Sequence, residues 1–287
     1  MTRLLKRRWW VLVFPSALLL ALLAGFWWGE RIEVARIHLP IGTQNMPLRV
    51  AVISDIHIGA GGFGMNRWKR TLSLVEREKP DVVLLLGDYV SSHRGIPALK
   101  EVLQGVRAPM GVYAVLGNHD HWAGAEQIVR ILKEHHVEVL VNRAVPLRRS
   151  SGEIWLVGID DLWSGKPDWQ KAFDGVPRGA PVILLSHNPD AMLAPQRERV
   201  SLILSGHTHG GHIWLPLARL LGTLSGRAFI PHSEYGLRHP HGLRREGDTW
   251  IYVTKGVTVG NRLPRWYNAR EVVILEVGHP SAQRDAR

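Results

Sequence analysis

Cysteine is absent from the 287 residues. That lack excludes disulfide scaffolds, Cys-ligated zinc and iron–sulfur centres. Any metal site must therefore be built from His, Asp, Glu or Asn. Internal repeats, low-complexity tracts and a stretch that reads as an interdomain linker are also missing, so the length permits one large domain or two small ones. No run of consecutive Lys or Arg exceeds Lys6-Arg7-Arg8, although the formal net charge is +11. A dispersed surplus of this kind favours anionic partners such as phosphate-bearing substrates or lipid headgroups. It argues against a dedicated nucleic-acid surface, and no specific nucleic-acid binding is expected. Hydrophobic residues make up 45% of the chain, which excludes disorder.

Charge is missing altogether from Trp9 to Gly29, roughly the 20 apolar residues that cross a bilayer as a helix. Trp9 and Trp10 flank one end and Phe26, Trp27 and Trp28 the other, as interfacial aromatic belts do. Arg3, Lys6, Arg7 and Arg8 precede the span, and the residues just after it are charge-balanced. The positive-inside bias then expects a single-pass anchor over residues 1–30 in the cell membrane, with the remaining 31–287 extracytoplasmic. Three other readings compete. A cleaved signal peptide fits the small-residue pattern poorly, a twin-arginine export signal matches Arg7-Arg8 loosely, and a buried core helix lacks a reason for the double aromatic belt.

Beyond Glu33, short β-branched apolar runs alternate with helical periodicity. Leu48–Ser54, Asp81–Leu86, Gly111–Leu116, Ile154–Ile159, Pro181–Leu185, Ser201–Leu204, Trp250–Thr254 and Glu271–Val277 read as buried strands. Residues Asn66–Lys79, Ile96–Val106, Gly124–His135 and Asp190–Glu198 carry helical spacing. The pattern predicts an α/β domain. Residues Trp214–Phe229 are apolar, punctuated by Arg219 and Arg227; they suit an amphipathic membrane-surface or acyl-groove segment, or an ordinary half-buried loop and helix.

Five of these strands run directly into groups that bind cations. Leu48–Ser54 leads into Asp55-x-His57, Asp81–Leu86 into Gly87-Asp88, and Gly111–Leu116 into Gly117-Asn118-His119-Asp120. Pro181–Leu185 leads into Ser186-His187, and Ser201–Leu204 into Ser205-Gly206-His207-Thr208-His209. Alone, an Asp-x-His is usually a cap and a Gly-Asp a turn. Function in open α/β sheets gathers at the carboxyl ends of strands, where five such ends would converge on one site. Mixed imidazole and carboxylate donors suit divalent transition ions. Seven donors exceed one tetrahedral shell, so two ions are implied, with a carboxylate such as Asp88 able to bridge. An ion pair of this type clamps the oxygens of a phosphoryl displacement and lowers the pKa of a bridging water.

This ordered set resembles the calcineurin-like metallophosphoesterase superfamily over about Leu48–Val277. The stretches ILSGHTHGG and LLSHNPD resemble its membrane-associated phosphodiesterase branch, some members of which act on UDP-2,3-diacylglucosamine in lipid A biosynthesis. The resemblance implies a four-layer α/β/β/α sandwich of two mixed sheets. It implies two divalent ions (Mn, Zn, Fe or Mg), one held by Asp55, His57 and His209 and the other by Asn118, His187 and His207, with Asp88 bridging. His119 would act at the scissile phosphate and Asp120 would orient its ring. The implied activity is hydrolysis of a phosphodiester or pyrophosphate, in a small-molecule or lipid-linked substrate, by water the ion pair activates; a nuclease or nucleotide phosphodiesterase is the alternative. His121-Trp122, His212 and the WYNAREVVIL tail depart from the pattern and bear on substrate. His93, His135, His136, His232, His239 and His241 read as surface or loop histidines, Arg94 as solvated unless it meets phosphate, and Trp122 and Trp214 as packing residues or an apolar wall.

Overall fold

The computed structural model describes residues 2–42, 47–211, 233–260, 265 and 267–278, with side chains from residue 13 onward. The 214–229 segment, His212 and His232 lie outside the described residues. The chain opens with helix α1 (Thr2–Gly29). Its described side chains include Phe14, Leu18, Leu20, Leu23, Phe26 and Trp27, which are all solvent-exposed. Among the described residues no helix is long and apolar enough to cross a membrane, so the fold lends the expected spanning role no support.

Twelve described strands form two mixed six-stranded sheets. The first contains β1 (Ile32–Leu39), β2 (Leu48–Ile53), β3 (Val82–Leu85), β4 (Val112–Ala114), β5 (Val137–Val139) and β12 (Arg270–Val277), ordered β1-β12-β2-β3-β4-β5. All its pairs are parallel except β12 with β2. The second contains β6 (Arg143–Arg149), β7 (Gly152–Gly158), β8 (Val182–Leu185), β9 (Leu202–Ser205), β10 (Gly242–Glu246) and β11 (Thr249–Val253), ordered β10-β11-β9-β8-β7-β6. Here only the two outer pairs are antiparallel.

Strand alternation sorts the apolar side chains into three cores. Val50, Val52, Leu84 and Leu275 from the first sheet meet Leu156, Ile183, Leu185 and Leu204 from the second, which fixes the sheets face to face. The opposite face of the first sheet, with Ala51, Ile53, Val83 and Leu85, is covered by three helices. These are α2 (Met65–Glu78), α3 (Ile96–Leu103) and α4 (Asn118–Glu134), which contribute Trp68, Leu99, Ile128 and Leu132. Truncating a fully buried leucine such as Leu84 in such a core costs on the order of 2–5 kcal/mol. On the outer face of the second sheet lie α5 (Trp169–Ala172), the 3₁₀ turn Pro189–Leu193 and α6 (Glu234–Arg238).

Local chemistry sets the helix ends. Gly64 and Lys79 bracket α2 in the left-handed region, and Pro80 cannot continue the helix. The helix expected over Asp190–Glu198 is instead two 3₁₀ turns, Pro189–Leu193 and Pro195–Arg199, because Pro195 has no amide to bond back into a longer helix. Helix α4 starts at Asn118, ahead of the expected Gly124, and breaks at Gly124, whose φ is 131°.

Candidate metal centre

Each of the seven expected ligands follows the carboxyl end of a strand. From the first sheet, β2 delivers Asp55 and His57, β3 delivers Asp88, and β4 leads into Asn118 at the first turn of α4. From the second, β8 delivers His187 and β9 delivers His207 and His209. The site therefore lies at one end of the sandwich, where the two sheets meet.

The backbone bends hard to aim these groups. Asp55, His57, Asp88, His207 and His209 adopt φ of 54°, 50°, 54°, 68° and 51°, a region L-residues other than Asn, Asp and His rarely enter. Positive φ concentrated on five of the seven expected ligands is a mark of function. Neighbouring glycines make room by a different route. A Cβ on Gly206 would lie 2.0 Å from Ser54 Oγ and 2.4 Å from Asp55 Oδ2, and one on Gly117 would lie 2.3 Å from Asp88 Oδ1.

Asp88 is the hub. Its Oδ1 accepts the His119 backbone N–H at 2.9 Å, which leaves Oδ2 3.3 Å from both His57 Nε2 and His187 Nε2. Burial opposes its ionisation, but the His187 and His57 imidazoles outweigh that and hold the carboxyl well below its usual range. His187 donates Nδ1–H to the Leu86 carbonyl at 2.7 Å, a bond that fixes the ring and presents Nε2 to the site.

Around that hub lie two clusters. Asp55, His57 and His209 bring ligand atoms within 4.8 Å of one another, with His209 Nε2 3.6 Å from Asp55 Oδ1. On the other side, His207 Nδ1 is 3.1 Å from Asn118 Oδ1, and the His187 and His207 rings meet edge to face at 5.2 Å. His57 Nε2 and His187 Nε2 are buried without a hydrogen-bond partner. A buried imidazole nitrogen normally finds a partner. Two orphans aimed at one carboxylate oxygen, in a mixed N/O donor set, fit a divalent ion on each side of Asp88.

His119 stands beside the cage. Its Nδ1 is 3.2 Å from the Ser91 carbonyl, and a ring nitrogen lies within 4.8 Å of ligand atoms of His57 and Asp88. Burial, then the nearby His57, lowers its pKa from the ordinary imidazole value. Asp120 has other partners than the ring it was expected to orient. Its carboxylate accepts the backbone N–H groups of Asp88 (2.7 Å), Tyr89 (2.9 Å) and Gly117 (2.9 Å), and so splices the β3 turn to the start of α4. Contact between the two strand-end turns explains the difference: one local amide and two from the β3 turn, more than thirty residues away in the chain, converge on the carboxylate and occupy it. Burial and the Asp88 charge push Asp120 up to about 7.

Several supporting residues carry no readable motif. Thr258 Oγ1 lies 3.0 Å and Arg265 Nη2 3.1 Å from His209 Nδ1, and Asn268 Nδ2 donates to the His209 carbonyl at 2.8 Å. Arg265, fully buried, donates to Thr258 Oγ1 and to the Lys255 carbonyl. Burial and Arg270 push it down to about 9. The same segment grips α1: Tyr267 donates its hydroxyl to the Ala21 carbonyl and its amide to the Gly25 carbonyl, and Arg270 bonds the Gly29 carbonyl. At the rim, Trp122 packs on His119 (4.9 Å) and on Trp163 (4.8 Å), and Trp163 reaches His207 (6.1 Å). Trp122 is exposed. His121 Nε2 meets Asp160 Oδ1 at 2.8 Å. Arg94 and His93 are exposed.

A family model described as calcineurin-like phosphoesterase matches residues 48–211, the stretch that carries all seven ligands. The chain belongs to the calcineurin-like metallophosphoesterase family. Phosphodiesterase YaeI of Escherichia coli is 31% identical over 252 residues, covering 85% of this chain and 88% of that protein. A Danio rerio transmembrane protein with a metallophosphoesterase domain is 35% identical, covering 78% of this chain and 52% of that protein, so the chain spans about half of that relative. Among solved structures, a dimetal phosphatase from Danio rerio aligns with a TM-score of 0.49 at 14% identity, covering 74% of this chain and 88% of that one. The chain is thus a metallophosphoesterase with a His/Asp site able to hold metal.

Proposed function

We propose that this metallophosphoesterase hydrolyses a phosphodiester or pyrophosphate bond in a lipid-linked substrate, such as UDP-2,3-diacylglucosamine, at a membrane to which α1 anchors it. Asp55, His57 and His209 would hold one divalent ion and Asn118, His187 and His207 a second, with the Asp88 carboxylate shared between the two sets. The observation that carries this reading is the pair of orphaned nitrogens, His57 Nε2 and His187 Nε2, both 3.3 Å from Asp88 Oδ2. Bound there, divalent ions supply Lewis acidity that makes water nucleophilic and neutralises phosphate charge. The residues of the chain do the rest. The N-terminus of α4 directs its positive dipole end at the anionic substrate. His119, when protonated, gives one N–H to the Ser91 carbonyl and its other proton to the departing oxygen, and the lowering of its pKa by burial favours release of that proton. Water oxygen bonds to phosphorus while one of its O–H bonds breaks and the proton passes to solvent; the ester or anhydride P–O bond breaks, and the leaving oxygen takes the His119 proton. Asp120 maintains the two turns that aim Asp88 and His119.

The lipid reading draws on two features: α1 exposes large apolar side chains, and its C-terminal end is bonded to the segment that supports His209. The extracytoplasmic placement follows from the basic residues ahead of the apolar span. A nucleotide phosphodiesterase or nuclease is the second reading, favoured by the exposed Trp122 face beside His119, on which a base can stack. The test is the full chain stripped of metal, reloaded with Mn, Zn, Mg or Co, and assayed on bis-aryl phosphodiester, UDP-diacylglucosamine, glycerophosphodiesters and oligonucleotides. Turnover of the lipid-linked substrate above the others is expected. No turnover with any ion overturns the enzymatic site, and preference for oligonucleotides overturns the lipid assignment.

A further inference from the structure

A groove of about 850 Å³ opens where α1 ends, well apart from the ligand cage, between Trp27, Glu30, Arg31, Ile32 and Glu33 on one wall and Lys69, Arg70, Ser73, Leu74 and Arg77 on the other. Its charges do not cancel. Glu30 is engaged by Arg67 and Arg270, and Glu33 by Lys255 at 3.1 Å, so both carboxylates are already spent on cations outside the groove. The cations are not spent in the same way. Lys69 has only a 3.8 Å approach to Glu101, both side chains exposed, a pair of small worth. Arg31 lies over the Trp27 and Trp28 rings at 4.0 and 4.8 Å, a contact that leaves its N–H groups available. Arg70 and Arg77 have no ion pair among the described residues, and both are exposed.

Arg70, Ser73 and Arg77 stand at i, i+3 and i+7 on α2, so they share one stripe of the helix. Two guanidinium forks flanking a hydroxyl match phosphate oxygens. The groove floor begins where the apolar, aromatic end of α1 stops, and Trp27 and Trp28 are 62% and 42% exposed there. Tryptophans of this kind settle at headgroup depth when an apolar helix enters lipid, which would put Arg31, Arg70 and Arg77 in the phosphate layer.

We propose that this groove binds the phosphate of anionic phospholipids and so orients the enzyme on its membrane. The inference rests on the anchoring role given to α1 and is independent of the catalytic reading. Its test uses the full chain in micelles doped equally with phosphatidylcholine and phosphatidylglycerol, with retained lipid identified by native mass spectrometry. The wild type is expected to keep phosphatidylglycerol preferentially. Arg70→Ala/Arg77→Ala should reduce that preference about 30-fold, at about 1 kcal/mol of binding per surface cation, with unchanged hydrolysis of soluble bis-aryl phosphodiester. A distal control, Arg107→Ala/Arg130→Ala, should keep it. No preference in the wild type, full preference in the groove variant, or equal loss in the distal control would each overturn the groove site. Flotation on neutral phosphatidylcholine vesicles separates the two claims: failure to float removes the anchor, whereas flotation without headgroup preference removes only the groove.

Discussion

The two sheets contribute chemically different halves of the cage. The first supplies Asp55, Asp88, Asn118 and His57, and so all of the oxygen donors; the second supplies His187, His207 and His209, imidazoles alone. Oxygen donors carry the negative charge that balances divalent ions, while neutral imidazoles confer the preference for transition ions over Mg or Ca. Neither half suffices. Asp88 Oδ2 stands between one imidazole from each sheet, and the His207 amide donates to Asp55 across the same gap at 3.1 Å. Metal binding at these residues would thereby be linked to the packing of sheet on sheet, because ions that bind only the assembled sandwich stabilise it.

The largest effects should come from the hub. Asp88→Asn removes the charge shared by the two halves and is expected to lower kcat/KM by about 10³-fold or more, on the scale of losing a transition-state electrostatic contact. His119→Ala should fall by about 10²- to 10⁴-fold yet retain its metal, so elemental analysis alongside kinetics separates the two variants. Next, Gly206→Ala drives a Cβ into Ser54 and Asp55 and should push the halves apart; a stability loss of about 1–3 kcal/mol in denaturant titration is expected, with metal affinity falling in parallel. Asn268→Ala frees the His209 backbone. A metal affinity 10- to 100-fold weaker, with kcat restored at saturating metal, is the expected signature of a group that acts through a ligand.

What the sequence made legible follows from burial. β3, β8 and β9 are buried throughout, as are β2 apart from exposed Arg49 and β4 apart from half-buried Tyr113; they read as apolar runs leading into expected ligands, so the pattern exposes element and site together. β1 and β10 are edge strands, β1 with exposed Arg36 and His38 and β10 with Leu243, Arg244 and Arg245 exposed in a row, and β6 carries Pro146 among arginines; their pairing is decided by neighbours, not by their own pattern. Thr258, Arg265 and Asn268 lie in irregular backbone far from His209 in the chain, where no periodicity marks them. Asp120 was visible as a site residue, but its partners are backbone amides, which no side-chain motif encodes.

The smallest effect concerns the rim. Asp160 raises His121 against the opposing pull of burial, and His121 in turn lowers Asp160 against its own burial. The raised His121 stabilises fully below 6.5, and that contribution is lost as pH rises through its folded value. The lowered Asp160 stabilises above 3.8, and its contribution is lost as pH falls through its folded value. Asp160→Asn should therefore cost most between those values, about 1–2 kcal/mol, and should flatten the fall in Tm as pH rises above 6.5. An unchanged Tm–pH profile would show the pair to be idle.

The central claim is tested most directly by counting divalent ions per chain in the metal-loaded wild type and in Asp88→Asn, by elemental mass spectrometry on folded monodisperse protein. Two ions in the wild type and a loss of at least one in the variant are expected. A wild type that turns over a phosphodiester with no bound ion, or a stoichiometry indifferent to Asp88, would contradict it.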